Sequence, residues 1–410
     1  MNAMAPFRAA DVTAGSYSQC NEIPSSCRPA TIRTLLVQIT VQSLTAMPAH
    51  PHLGYINPVI GHDFADPGVF FDRASQTWYA FGTNGNGKNI QCSYTKDFCC
   101  WEHHEHDCLP GPLPSYQSGT PGFLWAPEVI EAPQGRGGYL MYVSCQDAVH
   151  KKQCIGVAYS DRDPKGPYRW ITDRPLISRG ESGGTLDPQP FEDPASGKRY
   201  LVYKSDWDRM YTEHPQLWLS ELAPDGLSLV GDMHPLQGPK HGYQCGLLEA
   251  PYLFHHAPSN AYILFFSSGT FTNGTYATSY AISHNGLFGP YTCPGHPLLQ
   301  TDRHRSIMGP GGACVVRGVE NEHFIVFHAL EKQEGNRRMC IQRIEFNQDG
   351  TPVLSSRPNC GKRLRLGAEQ DDDVQHFGNH QPPPPHEQGS GHTGSGKMSK
   401  FLRKIQDKLD

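Results

Sequence analysis

The sequence predicts an all-β protein folded as a five-bladed β-propeller. Three observations carry the prediction: an excess of turn-forming residues, a motif that recurs about every sixty residues, and strand-like segments after each copy. The 42 glycines and 35 prolines are nearly a fifth of the 410 residues, against a usual share of about 12%. Charged residues are only 18%, and aromatic residues, at 10%, suffice for a core. This composition argues against helical bundles and suits many short strands joined by turns.

The recurring motif is a polar or small residue, a proline and an apolar stretch. It reads ADPGVFF, APEVIEA, DPQPFED, APYLFHH and GPGGACVV, with the prolines at positions 67, 127, 188, 251 and 310. A turn and a second apolar strand follow each copy, and a third strand-like segment follows that strand. Units with three recognisable strands and room for a fourth fit the blades of a propeller. Since no unit buries both of its faces alone, the array is expected to close on itself.

The period also sets the domain organisation. A β-sandwich would not repeat at a fixed interval near sixty, and a parallel α/β fold needs long helical crossovers that the sequence lacks. We expect one propeller domain over residues 55–367. A disordered leader, 1–54, precedes it, and a disordered linker and tail, 368–410, follow it.

The leader contains a segment, 34–49, that resembles the apolar core of a secretory signal followed by small residues. Two glutamines, Gln38 and Gln42, interrupt it, and some thirty residues precede it. A misplaced translation start or an ordinary disordered leader would each explain these features. We expect an extracellular protein.

The tail has the composition of a linker and ends in KMSKFLRKIQDKLD, a short basic segment with one apolar helical face. Such a segment can lie on a membrane or dock on a partner. The favoured interpretation is a solvated tail with transient helicity.

Net charge and apolar runs limit the partners. A formal charge of −5 gives no electrostatic reason to expect nucleic acid. No run of 18 apolar residues occurs, so we expect no integral membrane segment. A monomer is the expected state.

Thirteen cysteines leave at least one without a partner in the chain. Cys145 and Cys154 flank a hairpin-like stretch and are expected to meet across neighbouring strands. The segment CCWEHHEHDC, 99–108, has two interpretations, a metal site and a surface loop with one disulfide. The loop is favoured, because the segment lacks the paired CxxC or HxxxH spacing of zinc sites.

Three of the repeats carry an acid beside the marker proline: Asp66, Asp187 and Glu249. Equivalent positions of a propeller point to a common channel mouth, so these acids are expected to converge. Asp-Pro is also a common turn pair, but the apolar neighbours of Glu249 fit a turn poorly. A carboxyl in apolar company and near another carboxylate has a raised pKa, as a general acid requires. Carboxylate pairs of this kind serve glycoside hydrolysis.

Other residues near the markers are candidate substrate contacts. Trp125 and Phe64 offer aromatic faces for sugar rings, and Glu128 follows the second marker proline. A core position is the alternative for both rings. For Phe191 the core is the favoured interpretation.

The motifs NPVIGHDFADPGVF, LWAPEV, GGTLDPQPFEDPASGKRYLVYKSD and LLEAPYLF, in this order, resemble glycoside hydrolase family 43. The resemblance extends over about 300 residues, from Asn57 to roughly His328. It implies a five-bladed propeller among arabinanases, α-L-arabinofuranosidases and β-xylosidases. One such motif would be weak evidence, whereas four in order at the blade spacing are specific.

The resemblance also implies roles for the three acids. Asp66 aligns with the general base, Glu249 with the general acid, and Asp187 with the residue that tunes the pKa of the acid and orients it. The implied reaction is a single displacement with inversion, and no cofactor is needed for the chemistry.

One departure from the family concerns the propeller axis. Many members carry a Gly-His pair after the fifth marker, and its histidine lies near a bound cation, often calcium. Here Gly312 occupies that place, and His328 is the candidate axial residue. A structural calcium is one expectation, and a satisfied core histidine is the favoured alternative.

The expected function is therefore inverting hydrolysis of arabinose- or xylose-containing plant polysaccharides or oligosaccharides, with arabinanase or α-L-arabinofuranosidase favoured. A β-xylosidase is the alternative within the family, and a non-catalytic carbohydrate-binding propeller is the alternative from another class. Fructan-cleaving relatives share the shape, but their nucleophile lies in an Asn-Asp-Pro-Asn-Gly context, and ADPGVF differs from it.

Overall fold

The computed structural model describes residues 55–119, 122–133, 135–179, 183–206, 215–318, 320–331 and 335–355. The predicted leader, its signal-like segment and the predicted tail lie outside the described residues. Among the residues described, no helix combines the length and the apolar character that crossing a bilayer demands.

The described chain forms five antiparallel sheets, each of which is one blade. Blade 1 contains β1 (Gly68–Asp72), β2 (Thr77–Gly82), β3 (Gln91–Thr95) and β4 (Glu102–His103). Blade 2 contains β5 (Trp125–Glu131), β6 (Tyr139–Gln146), β7 (Gln153–Ser160), β8 (Arg169–Trp170) and β9 (Ile177–Ser178). Blade 3 contains β10 (Thr185–Glu192), β11 (Arg199–Ser205), β12 (Gln216–Leu222) and β13 (Leu229–Gln237). Blade 4 contains β14 (Leu248–His256), β15 (Ala261–Ser268) and β16 (Ala277–Ser283). Blade 5 contains β17 (Gly311–Arg317), β18 (His323–Leu330), β19 (Arg337–Phe346) and β20 (Pro352–Leu354).

The first strands of neighbouring blades contact one another in the cyclic order β1, β5, β10, β14, β17 and back to β1. The sheets therefore close into a ring, with these five strands innermost. The five-bladed propeller predicted from the repeat is confirmed.

The core consists of five clusters, one in each gap between adjacent blades. Along the second strand of a blade, successive residues point to opposite neighbours. In β6, for example, Leu140 and Tyr142 pack against blade 3, whereas Met141 and Val143 pack against blade 1. These strands are covered on both faces, which explains why their sequences are nearly continuous apolar runs. Phe191 lies in the cluster between blades 3 and 4, as predicted.

The ring is closed by the segment that precedes β1. Val59 donates its backbone N–H to the carbonyl of Met339 at 2.9 Å. Asn57 exchanges two hydrogen bonds with the backbone of Ile341, at 2.8 and 2.9 Å. The beginning of the described chain is thereby fastened to β19 in the last blade.

The fifth marker differs from the other four in position. Gly68 pairs with Phe81 across blade 1, and the equivalent pair in blade 5 is Cys314 with Val326. The residue equivalent to the marker proline is therefore Ala313, not Pro310. Pro310 lies before β17, and a Gly-Gly pair takes over the turn that Asp-Pro or Ala-Pro makes in the other blades.

Nine cysteines within the described residues are free thiols: Cys92, Cys100, Cys108, Cys145, Cys154, Cys245, Cys293, Cys314 and Cys340. Cys145 and Cys154 are register partners on β6 and β7, as expected, with their Sγ atoms 3.5 Å apart. Over the described part of the chain, including 99–108, no group of three or more His, Cys, Asp or Glu is placed to hold a metal ion.

Candidate active site

The site lies where the five innermost strands begin, around the propeller axis. At this level each blade has one residue with a positive φ: Asp66, Ala126, Asp187, Ala250 and Gly312, at 50°, 45°, 56°, 48° and 58°. Positive φ is uncommon for residues other than glycine, and such strained positions cluster at functional sites. In blades 2 to 5 a register shift accompanies the strained residue. The shift bends the strand and aims its side chains at the axis.

Asp66 precedes β1 and is bound by residues of the first and the last blade. The guanidinium of Arg337 lies 3.1 Å from Oδ1, and the hydroxyl of Thr83 donates to Oδ2 at 2.7 Å. Burial alone raises the pKa of this carboxyl, but the charge of Arg337, the contact with His328 and the Thr83 hydroxyl outweigh it. The pKa of Asp66 is held well below its usual range, so Asp66 is ionised at neutral pH.

His328, on β18, is fully buried beside Asp66. The backbone N–H of Asp66 donates to Nδ1 at 3.1 Å. Nδ1 also lies 3.3 Å from Oδ1 of Asp66, and Nε2 has no hydrogen-bond partner among the described residues. Burial lowers the pKa of His328, which favours the neutral ring.

Asp187 lies in β10, on the opposite side of the axis. Its backbone N–H donates to the hydroxyl of Ser144 at 2.9 Å, and its Oδ2 accepts the backbone N–H of Ala250 at 2.8 Å. Burial and the negative charge of Glu249 raise the pKa of Asp187 to about 7. Asp66 and Asp187 thus have opposite ionisation tendencies within one site.

Glu249 lies in β14, one residue before the strained Ala250. Tyr276 donates its hydroxyl to Oε1 at 2.7 Å, and the Lys204 ammonium donates to Oε2 at 3.0 Å. The Tyr276 ring stacks on His328 with centroids 5.7 Å apart. Glu249 therefore has one partner on each carboxyl oxygen, and its side chain is only 14% exposed.

Lys204, in β11, is the buried cation of the site. Its side chain is 4% exposed, and its ammonium also lies 3.4 Å from Oδ1 of Asp206. An ammonium is rarely buried without paired charges, and here two carboxylates flank it. These carboxylates raise the pKa of Lys204 and offset the effect of burial, so it stays charged.

The glycines of the fifth blade make room for the site. A Cβ on Gly311 would lie 2.0 Å from Cε1 of Tyr276, and a Cβ on Gly312 would lie 2.8 Å from Nδ1 of His328. The Gly-Gly pair therefore allows the Tyr276 ring and the His328 ring to reach the axis.

The structure separates the two candidate sugar-binding rings. Trp125 in β5 pairs with Ser144, as Glu249 pairs with Ser267, so Trp125 and Glu249 occupy equivalent positions in different blades. Trp125 is partly exposed at this level. Phe64 is fully buried, so its ring has no face open to a sugar, and its position is that of a core residue.

Glu128 lies in the axial channel beneath the acids. It pairs with Tyr142, at the level of Gly68 in blade 1. A cavity of about 30 Å³ lined by residues of all five blades, Glu128 among them, opens here, enough for one or two water molecules. Burial raises the pKa of Glu128 to about 8.

A calcium ion at the axis stays a prediction. Calcium takes six to eight oxygen ligands, water among them. Asp66 is already bound by Arg337 and Thr83, and in the described ranges no group of three or more His, Cys, Asp or Glu is placed to hold a metal ion.

The repeat did not predict four residues of the site: Thr83, Lys204, Tyr276 and Arg337. The sequence does contain a sign of Lys204, since YLVYKSD places a lysine at the end of a buried strand. It contains no sign of Arg337, because the marker spacing does not predict the start of β19. Tyr276 follows an exposed loop, and only the packing of blade 4 against blade 5 brings it to the axis.

The chain is similar to known proteins of one family. The family model described as "Glycosyl hydrolases family 43" matches residues 55–352. An "Extracellular endo-alpha-(1->5)-L-arabinanase" of Thermotoga petrophila is 27% identical over 396 residues, which cover 81% of this chain and 78% of the relative. A "Probable arabinan endo-1,5-alpha-L-arabinosidase D" of Emericella nidulans is 24% identical over 275 residues, which cover 59% of this chain and 68% of the relative.

A solved structure of a thermostable family-43 glycoside hydrolase superposes with a TM-score of 0.63 at 24% identity. The match covers 75% of this chain and 98% of that structure. At this identity the superposition establishes the fold alone.

Proposed function

The chain belongs to family 43 of the glycosyl hydrolases, and from that membership we propose that it hydrolyses arabinose- or xylose-containing plant polysaccharides. Arabinan is the favoured substrate, with arabinanase or α-L-arabinofuranosidase activity. The preference for arabinan over xylan is supported by the two curated relatives, both of which carry arabinan-cleaving names.

The observation that carries the proposal is the opposite ionisation of two carboxyls at one axis. The pKa of Asp66 is held low by Arg337, whereas burial and Glu249 raise the pKa of Asp187 to about 7. Titratable groups whose environments push their pKa values apart mark acid and base roles. A purely sugar-binding propeller has no need of such a pair.

Asp66 is proposed as the general base. Its carboxylate is ionised and still 18% exposed, so a water molecule can reach it from the channel mouth. Arg337 and Thr83 hold both oxygens in place. The carboxylate takes a proton from this water as the water oxygen bonds to the anomeric carbon.

Glu249 is proposed as the general acid. In the same displacement the bond from the anomeric carbon to the leaving oxygen breaks, and the proton of Glu249 moves to that oxygen. Asp187 supports this role because its pKa, raised to about 7, keeps a proton on Asp187 in the mildly acidic range. The bond from Ala250 to Asp187 ties that carboxyl to the backbone beside Glu249.

A single displacement inverts the anomeric carbon, and the acid and base of inverting enzymes are separated by ~6.5–9.5 Å to admit the water. We therefore propose inversion. Proton NMR of the first product distinguishes the outcomes, since a product with retained configuration would contradict the roles assigned to Asp66 and Glu249.

Phe271 is proposed as a substrate contact besides Trp125. It is 37% exposed, and the guanidinium of Arg337 lies 5.0 Å from the centre of its ring. The same Arg337 binds Asp66, so the ring lies beside the base. An exposed aromatic face at this place suits the apolar face of a sugar.

The test of the proposed function is a hydrolysis screen. Debranched arabinan, aryl α-L-arabinofuranoside and aryl β-xyloside are each incubated with the purified protein over a range of pH, and the products are separated by chromatography. We expect release from arabinan or the arabinofuranoside. Release from the xyloside alone would replace the arabinan assignment by a β-xylosidase, and release from none would overturn the proposed function.

We further propose that the protein acts outside the cell as a monomer. Support for the location comes from the name of the Thermotoga relative, which is described as extracellular. Secretion is tested by immunoblotting the culture medium, and the oligomeric state by light scattering of the purified protein.

A further inference from the structure

One position of the fivefold repeat carries a lysine in blade 3, and this lysine contacts the proposed acid. The position lies on the second strand of each blade. In blade 1 it is two residues after Phe81, the residue that pairs with Gly68. Its side chain lies beside the strained residue of the next blade. These five equivalent residues are Thr83, Ser144, Lys204, Ser267 and His328.

In four of the five blades this side chain has the same role. It accepts the backbone N–H of the strained residue in the next blade, at distances between 2.9 and 3.1 Å. The acceptors are a hydroxyl in three blades and an imidazole nitrogen in the other. The propeller therefore uses an acceptor at this position to satisfy a backbone donor of the next blade.

Lys204 cannot fill that role, because an ammonium has three donors and no acceptor. The N–H of Ala250, which would otherwise bond this side chain, donates to Oδ2 of Asp187 instead, at 2.8 Å. The ammonium of Lys204 is free to donate to Oε2 of Glu249 at 3.0 Å. One substitution within the repeat thus fixes the positions of two carboxyls.

The fold alone does not call for this cation. Serine fills the equivalent position in blades 2 and 4, and it needs no buried counter-charge. A buried ammonium loses its hydration and leaves a large penalty if its partner is removed. A costly local departure from the repeat is expected at a functional position.

We propose, resting on the proposed function, that Lys204 is a positioning residue that determines which oxygen of Glu249 carries the transferable proton. Since the ammonium only donates, Oε2 remains an acceptor. The proton is then carried on Oε1, which also accepts the Tyr276 hydroxyl at 2.7 Å, so the proton is left for the leaving oxygen. In the transfer the Oε1–H bond breaks, an O–H bond to the leaving oxygen forms, and Tyr276 goes on donating to Oε1 of the carboxylate.

The direct test is Lys204→Ser, which installs the residue that blades 2 and 4 already use. It restores an acceptor for the N–H of Ala250, so we expect a folded protein. The matched control is Lys198→Met on the same blade, which removes an exposed pair with Glu221 at 2.9 Å far from the axis. The control is expected to keep the activity of the wild type.

The readout compares good and poor leaving groups. Initial rates are measured on the para-nitrophenyl and phenyl forms of α-L-arabinofuranoside, α-L-arabinotrioside and β-xyloside. A para-nitrophenolate departs without much help from an acid, whereas a phenolate needs the proton. For Lys204→Ser we expect kcat on the phenyl substrate to fall about a hundredfold, the lower range for loss of general acid catalysis. On the para-nitrophenyl substrate we expect a fall of no more than about tenfold, with little change in KM.

Several results would overturn the inference. Equal losses on both leaving groups would mean that Lys204 acts through the fold, and wild-type rates on both would remove the role. Should the serine variant fail to fold, Lys204→Gln is measured, and it is expected to show the same bias toward the better leaving group. Unfolding of both variants would assign Lys204 to stability alone. An inactive wild type overturns the proposed function itself, whereas an active wild type with unbiased losses overturns only the role of Lys204.

Discussion

Asp187 accepts the backbone N–H of Ala250 at 2.8 Å and is thereby tied to the residue that follows Glu249. The same carboxyl has a pKa raised to about 7, from a usual value of 3.8, by burial and by the charge of Glu249. The folded protein therefore binds a proton that the unfolded chain has already lost between about pH 4 and pH 7.

The first prediction concerns stability against pH for Asp187→Asn. Where the folded state binds more protons than the unfolded state, stability falls as pH rises. The wild type should lose stability from about pH 4 to pH 7 through this carboxyl, and the asparagine variant should not. We expect the variant to melt at a higher temperature relative to the wild type at pH 8 than at pH 4.

The control is Asp193→Asn in the turn after β10, whose carboxyl has the opposite shift. Burial opposes ionisation there, but hydrogen bonds from Ser196 and Tyr262 outweigh it and lower the pKa of Asp193. Its contribution is present above the unfolded pKa and is lost as pH falls, so this variant should be less stable than the wild type at pH 8. Parallel pH responses of the two variants would contradict the assignment.

Glu128→Gln should stabilise the protein in alkaline solution. Burial raises the pKa of Glu128 to about 8 from 4.5, so the folded state keeps this carboxyl neutral until high pH. Above pH 8 it must ionise within the channel, whereas a glutamine of the same shape stays neutral. We expect equal melting temperatures near pH 4 and a higher one for the variant at pH 9, by at least a few degrees. Equal melting at pH 9 would contradict the burial of an uncompensated acid.

Asp66→Asn should remove most turnover without removing the fold. Loss of a general base lowers rates by about 10²–10⁴-fold, and the amide still fills the place beside Arg337. Asp72→Asn, at the far end of β1, is the control and should remain within about twofold of the wild type. Initial rates on arabinan, with circular dichroism of each variant, measure both effects. A rate for Asp66→Asn within tenfold of the wild type would exclude the base role.

Phe271→Ala should weaken substrate binding more than it slows the chemistry. A stacked aromatic ring contributes about 0.5–1.5 kcal/mol beyond its buried area, which corresponds to a rise in KM of about two- to tenfold. Phe288→Ala is the matched control, since Phe288 is 53% exposed but packs beside Tyr200 and His234 in the third blade. A KM that rises equally in both variants, or in neither, would remove Phe271 from the substrate path.

The sequence predicted the repeat, the blade number and the convergence of three acids, because all three depend on one period. Asp66 and Asp187 occupy equivalent positions directly before the marker proline, Glu249 lies one residue earlier in its own blade, and the starts of all five innermost strands face one axis. Asp66, Asp187 and Glu249 therefore required no knowledge of packing.

The hydrogen-bond partners of the acids could be found only from the packing of the blades. Arg337 reaches Asp66 from β19, and Tyr276 reaches Glu249 from the loop before β16. Both contacts depend on the approach of one blade to the next, which no period in the sequence encodes. The burial of Phe64 also follows from packing, since the residue lies two places before Asp66 but points into the core.

The contact between Asp66 and Arg337 joins residues 271 positions apart. During synthesis, almost the whole propeller is made before Arg337 and His328 can contact the proposed base. Blade 1 is made first, but its site is completed by the last blade, whose β19 also binds the segment before β1. A nascent chain that ends before Arg337 therefore has an incomplete site. Ring closure and catalytic competence arrive together.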